Sequence, residues 1–169
     1  MKNIFIISCL TLVCACQNAI AIPASNRTPD LAQKAYHYYG LSESKNRKLI
    51  KELTGVDPVM TEWCAAFVNM ILLQNGYPTS ASVSEFHLRA RSFLDYGEKT
   101  TTPVQGDIVI FRRGNNGWQG HVGFFVSVKE VNGVQMISVL GGNQDDMVTI
   151  SNYPSSRVLD FRKVPQPGN

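Results

Sequence analysis

The chain predicts an α+β fold, with helices in its first half and a run of antiparallel strands in its second. Up to Gly97 the apolar residues recur at helical spacing between glycine and proline breaks. From Asp107 onward they alternate with a period of two and are rich in β-branched types. Asn132-Gly133 stands between two such alternating runs, the strongest short signature of a two-residue hairpin. Helices followed by strands pack as helices on one side of a sheet.

Each element has a local reason. Thr28-Pro29-Asp30 offers a capping hydroxyl, a first-turn proline and an acid at the positive end of a helix, which predicts a helix running to Tyr39 and stopping at Gly40. Residues 46–54 read as a short second helix ended by Gly55, and Asp57-Pro58 turns the chain. Thr61 can cap a third helix that ends at Gly76, apolar nearly all round and therefore buried. Ser82 or Ser84 can cap a fourth helix through Tyr96, with Phe86, Ala90, Phe93 and Leu94 as its stripe and Gly97 as its stop. Five strands follow, at 107–112, 121–129, 134–140, 147–151 and 158–162.

The first 21 residues read as an export leader. Lys2 gives the positive start, and the apolar run from Ile4 to Ala15 is too short for an ordinary membrane span. Ala19-Ile20-Ala21 suits cleavage before Ile22, while Val13-Cys14-Ala15-Cys16 offers a rival site at which Cys16 is lipidated. Both readings export the protein to the periplasm or the outside, and the second anchors it to a membrane. Residues 22–169 then form one domain of 148 residues (169 less 21), long enough for a single sizeable core. A net charge of +3 without a Lys/Arg stripe argues against nucleic acid. A monomer is expected, and the tail 165–169 is expected to fray.

Of the four cysteines, only Cys64 lies beyond the leader. An exported chain with a single thiol cannot use it for an internal disulfide, and an exposed one would be oxidised. At the third position of a helix begun by Thr61, the free amides of the first turn would stabilise a thiolate and a nearby oxyanion. The competing role is a small buried filler. His121 begins a strand, with Gly120 and Gly123 leaving room for another element to approach its ring. It is either a base for that thiol or a core histidine satisfied by backbone. His37 and His87 are read as structural.

The hairpin sets the third partner. A regular ladder from Asn132-Gly133 places Gln144 opposite His121. A one-residue bulge at Gly141-Gly142 instead places Asn143 opposite Gly123, diagonal to His121. Both amides stay open on this geometry.

The blocks Trp63-Cys64-Ala65-Ala66-Phe67-Val68-Asn69, Gln105 to Phe111, Gly120-His121-Val122-Gly123-Phe124, Leu140-Gly141-Gly142-Asn143-Gln144 and Ile150 to Pro154 occur in that order, before Arg157-Val158-Leu159. This order closely resembles the CHAP and NlpC-like peptidoglycan hydrolases, a papain-like superfamily, and most of all its small single-domain branch that also occurs in phage lysis proteins. The likeness spans residues 31–162. It implies a papain-like fold, with Cys64 as nucleophile, His121 as general base and Asn143 as the group orienting the ring. Two positions depart from the pattern. Gly141 stands where many CHAP domains have glutamate, and Trp63 replaces the glutamine that assists the oxyanion hole. The acidic calcium loop of some CHAP enzymes is not visible, so neither a metal nor a cofactor is expected.

The resulting expectation is an exported cysteine amidase or endopeptidase with peptidoglycan as its partner. Trp63, Trp118 and Gln144 are candidate substrate contacts. The bond is either the amide joining muramic acid to L-alanine or one within the stem peptide. An acyltransferase on the same fold and an inactive wall-binding module are the alternatives.

Overall fold

The computed structural model describes residues 30–165. The leader with both cleavage sites, the Thr28 cap and residues 166–169 lie outside the described residues. Helix α1 (Leu31–Tyr36) is capped by Asp30, whose side chain accepts from the Gln33 amide at 3.2 Å. It ends before the expected Tyr39, and the chain turns at Gly40 with φ +86. Helix α2 (Glu43–Thr54) starts earlier than expected, with a kink at Asn46, and stops at the left-handed Gly55. Helix α3 (Cys64–Gln74) is the buried rod that its composition demands, with Ala65, Phe67, Val68, Ile71 and Leu72 at most 1% exposed.

The fourth helix does not form. Two 3₁₀ turns stand there, Ser80–Ser82 and Ala90–Asp95. The reason is a tertiary tie. Asn69 Nδ2 of α3 donates to Ser80 Oγ and to the His87 carbonyl, each at 3.0 Å, and Asn69 Oδ1 accepts from the Ser80 amide at 2.9 Å. The Ser80 hydroxyl donates to the same His87 carbonyl at 3.1 Å. That oxygen is committed across the chain rather than to a helical turn.

The sheet has six strands, one more than expected. They are β1 (Glu98–Lys99), β2 (Ile108–Arg112), β3 (Gly120–Val131), β4 (Val134–Gln144), β5 (Met147–Pro154) and β6 (Val158–Lys163), in the order β1-β6-β2-β3-β4-β5. Every neighbouring pair is antiparallel. The extra strand is the two-residue β1, too short for a periodic pattern to reveal. Asp107 fastens the entry to β2, its carboxylate accepting from the Val104 amide at 2.9 Å.

Both faces of the sheet are buried in its centre. One face meets the helices through Ile108, Ile110, Val122, Phe124 and Leu140. The other carries Val109, Phe111, Phe125, Ile137 and Val139, joined by Tyr153 and Phe161. The helix face needs close approach at Gly142. A Cβ there would meet Trp63 Cζ3 at 2.5 Å and Phe67 Cβ at 2.8 Å, so only glycine lets α3 settle on β4.

The Asn132-Gly133 hairpin forms with Val131 opposite Val134. The bulge that shifts its register lies on β3, between Phe125 and Ser127, and not at Gly141-Gly142 within this pair. A second irregularity does fall at Gly141–Gln144, in the pairing of β4 with β5, where Asn143 takes the left-handed φ of +58. The two shifts together aim the side chains of Asn143 and Gln144 in different directions.

Candidate active site

Cys64 is the first residue of α3, with Trp63 in the N-cap position, rather than the third residue of a helix begun by Thr61. The first helical bond runs from the Phe67 amide to the Trp63 carbonyl at 2.9 Å, so the amides of residues 64–66 precede the ladder. The sulfur lies against two backbone amides, Val122 and Ala65. Val122 is the neighbour of His121, so the helix start and the β3 strand meet at the thiol.

Burial governs the charge state here. Cys64 is 3% exposed, and its thiol is pushed up to about 11 by loss of solvent, which outweighs the two amides. The expectation of a lowered thiol pKa is therefore corrected: a helix start helps a thiolate, but enclosure costs it more. His121 is also 3% exposed. Burial is the main cause that brings its imidazole down to about 4, with the Gln144 hydrogen bond opposing. At neutral pH the pair rests as thiol and neutral imidazole.

The tautomer of that imidazole follows from Gln144. The Gln144 Nε2 faces three carbonyls, Thr149 at 2.5 Å and Val139 and Gly141 at 3.3 Å. Its Oε1 must then point the other way, toward His121 Nε2 at 3.1 Å and the Tyr153 hydroxyl at 3.0 Å. A carbonyl oxygen accepts, so His121 carries its proton on Nε2 and leaves the Nδ1 lone pair able to accept a proton. The ring packs against Phe111 and Tyr153, with centroids 6.4 and 5.3 Å away. Burial raises the Tyr153 phenol, which keeps it a donor.

Three sequence-derived assignments change. Asn143 does not orient the ring: it donates from Nδ2 to Glu62 Oε2 at 2.6 Å, because its left-handed backbone turns the side chain to the rim. Gln144, the other amide left open by the sequence, is the one behind the imidazole, although the ladder that leads to it is bulged, and at 2% exposed it is too deep to touch substrate. Trp63 is fully buried with its indole N–H on Glu43 at 2.7 Å, a core side chain and not a groove wall. A cleft of about 500 Å³ opens over the thiol, lined by Cys64, Thr61, Glu62, Arg113, Gly120 and Trp118 among others. Trp118, 58% exposed, does line it.

Sequence reasoning missed Tyr153, Arg113 and Arg89. Tyr153 lay inside a motif block, but only the cross-strand partnership of Ile137 with Tyr153 shows which way it faces. Arg113 reaches Glu62 at 2.9 Å from a glycine-rich loop without periodicity. Arg89 also lines the cleft, in the segment read as a helix.

Among the described residues no group of three or more His, Cys, Asp or Glu side chains is arranged to hold a metal ion. No curated protein matches the chain, and no solved structure does. A scan of protein-family profiles does match: the CHAP domain, over residues 56–143, a little over half the chain and including both Cys64 and His121. The chain therefore belongs to the CHAP domain family, which is generally hydrolytic on peptidoglycan.

Proposed function

We propose that the protein is an exported cysteine hydrolase that cleaves an amide bond of peptidoglycan through Cys64, His121 and Gln144. The observation that carries this reading is the fixed Nε2–H tautomer of His121 on the strand whose Val122 amide touches the thiol. As Cys64 Sγ attacks the amide carbonyl, its proton passes to His121 Nδ1, so the thiolate forms in the act of attack. The amides at the start of α3 face the oxyanion. Collapse of the tetrahedral intermediate transfers the proton from Nδ1 to the leaving amine and leaves a thioester. Water, deprotonated by Nδ1, then releases the acid and restores the thiol.

The burial of Cys64 favours one rival, a wall-binding module in which the thiol is core filler. The Cys64→Ala variant separates the two. The hydrolase reading predicts that turnover of purified sacculi is lost while sedimentation with them is retained; digestion at the parent's rate contradicts it. Export rests on the leader 1–21, and the mass of the mature protein tests it. A start at Ile22 means cleavage after Ala21, a lipid-modified Cys16 means anchoring, and an intact leader contradicts export.

A further inference from the structure

We propose that Arg89 is the seat for a carboxylate of the substrate's peptide, making the cleft selective for anionic stem peptides; this rests on the hydrolase reading above. Two guanidinium groups line the cleft beside Cys64, those of Arg89 and Arg113. Arg113 is already met by Glu62 at 2.9 Å. Arg89 takes part in no ion pair and no side-chain hydrogen bond among the described residues.

It is nevertheless held. Its guanidinium carbon lies 4.4 Å from the Phe86 ring centroid and 5.9 Å from that of Trp118. Aromatic faces hold a guanidinium by attraction to its charge, and they accept none of its N–H bonds. The donors along the guanidinium edge are then available in the fork geometry that matches a carboxylate. Both rings are more than half exposed, at 51% and 58%, which solvent alone does not favour for phenyl and indole. A group bound by Arg89 and an amide at Cys64 share a cleft of about 500 Å³. Such a cleft spans on the order of two to three extended residues. The carboxylate that Arg89 reads therefore belongs to the peptide close to the scissile bond, not to a distant part of the wall.

The test uses the purified full chain and two probes: a disaccharide muropeptide with free carboxylates, and the same muropeptide with its carboxylates converted to carboxamides. Steady-state kinetics are measured for the parent, Arg89→Gln and Arg89→Lys. The parent is expected to favour the carboxylate form by roughly ten- to hundredfold in kcat/KM, mainly through KM. Arg89→Gln removes that preference by impairing the carboxylate form alone, and Arg89→Lys recovers part of it. An Arg89→Gln protein that retains the preference, or that loses activity equally on both probes, overturns the proposal. If the parent turns over neither probe, the hydrolase reading fails, and calorimetric titration decides the Arg89 claim separately. Tighter binding of the carboxylate probe by the parent than by Arg89→Gln supports it, and equal or absent binding overturns it.

Discussion

Gln144 holds three carbonyls with its amide and two donors with its oxygen, so its side chain has one orientation and gives the imidazole one tautomer. Gln144→Ala is expected to lower kcat by about 100-fold, part of what a positioned base contributes. Asn143→Ala, which touches only the Glu62 rim contact, is expected to change it far less. The reverse order in sacculus turnover would restore Asn143 as the orienting residue. The thiol gives a second prediction. Pushed up to about 11 by burial, Cys64 in the folded protein should alkylate with iodoacetamide only slowly through pH ~8.5, where the same thiol titrates in urea. Ready labelling of the folded protein at pH 7 would contradict the enclosed neutral thiol. Cys64 and His121 were legible in sequence because a lone thiol at a helix start and a glycine-flanked histidine are local features. The choice between Asn143 and Gln144 was not, because it turns on two register shifts, one in β3 and one at Gly141–Gln144, and on the left-handed backbone of Asn143, which no local signal announces.

Helix α3 delivers the sulfur, and its position depends on how closely it lies on β4. Gly142 sets that distance, so Gly142→Ala forces a methyl against Trp63 and Phe67, two side chains that are at most 1% exposed and have nowhere to move. The expected cost is about 1–3 kcal/mol in urea unfolding, with a loss of activity beyond the unfolded fraction as Cys64 is displaced. Unchanged stability would mean that α3 and β4 can part without penalty. Elements with strong period and clear stops were legible: α3, the hairpin, and all five long strands. The segment from Ser80 to Asp95 has helical spacing too, yet Asn69 captures the His87 carbonyl and Ser80 from a different element. A helix pattern competes there with tertiary hydrogen bonds that spacing cannot reveal, and the resulting turns place Arg89 on the cleft.

For the whole molecule, the buried neutral His121 links stability to pH. Its folded pKa, about 4, lies below the unfolded value of ~6.5, so the unfolded chain takes up a proton first as pH falls. Stability is therefore full above ~6.5 and declines as pH drops toward 4. Between pH 7 and pH 5 the His121 contribution amounts to a loss of about 2 kcal/mol, which denaturant titration at the two pH values measures. His121→Ala should remove that part of the slope; an unchanged slope would place the pH sensitivity elsewhere. The fold thus keeps His121 neutral and enclosed at some cost in acid stability, which suits the proposed site, where the nucleophile would form only as an amide arrives. The most direct test of that chemistry is digestion of sacculi in heavy-oxygen water with mass spectrometry of the fragments. Paired products are expected in which a new amine faces a new carboxyl carrying one heavy oxygen, with none from Cys64→Ala. Label found in a sugar hydroxyl, as cleavage of a glycosidic bond would leave it, or the same products from Cys64→Ala, would contradict it.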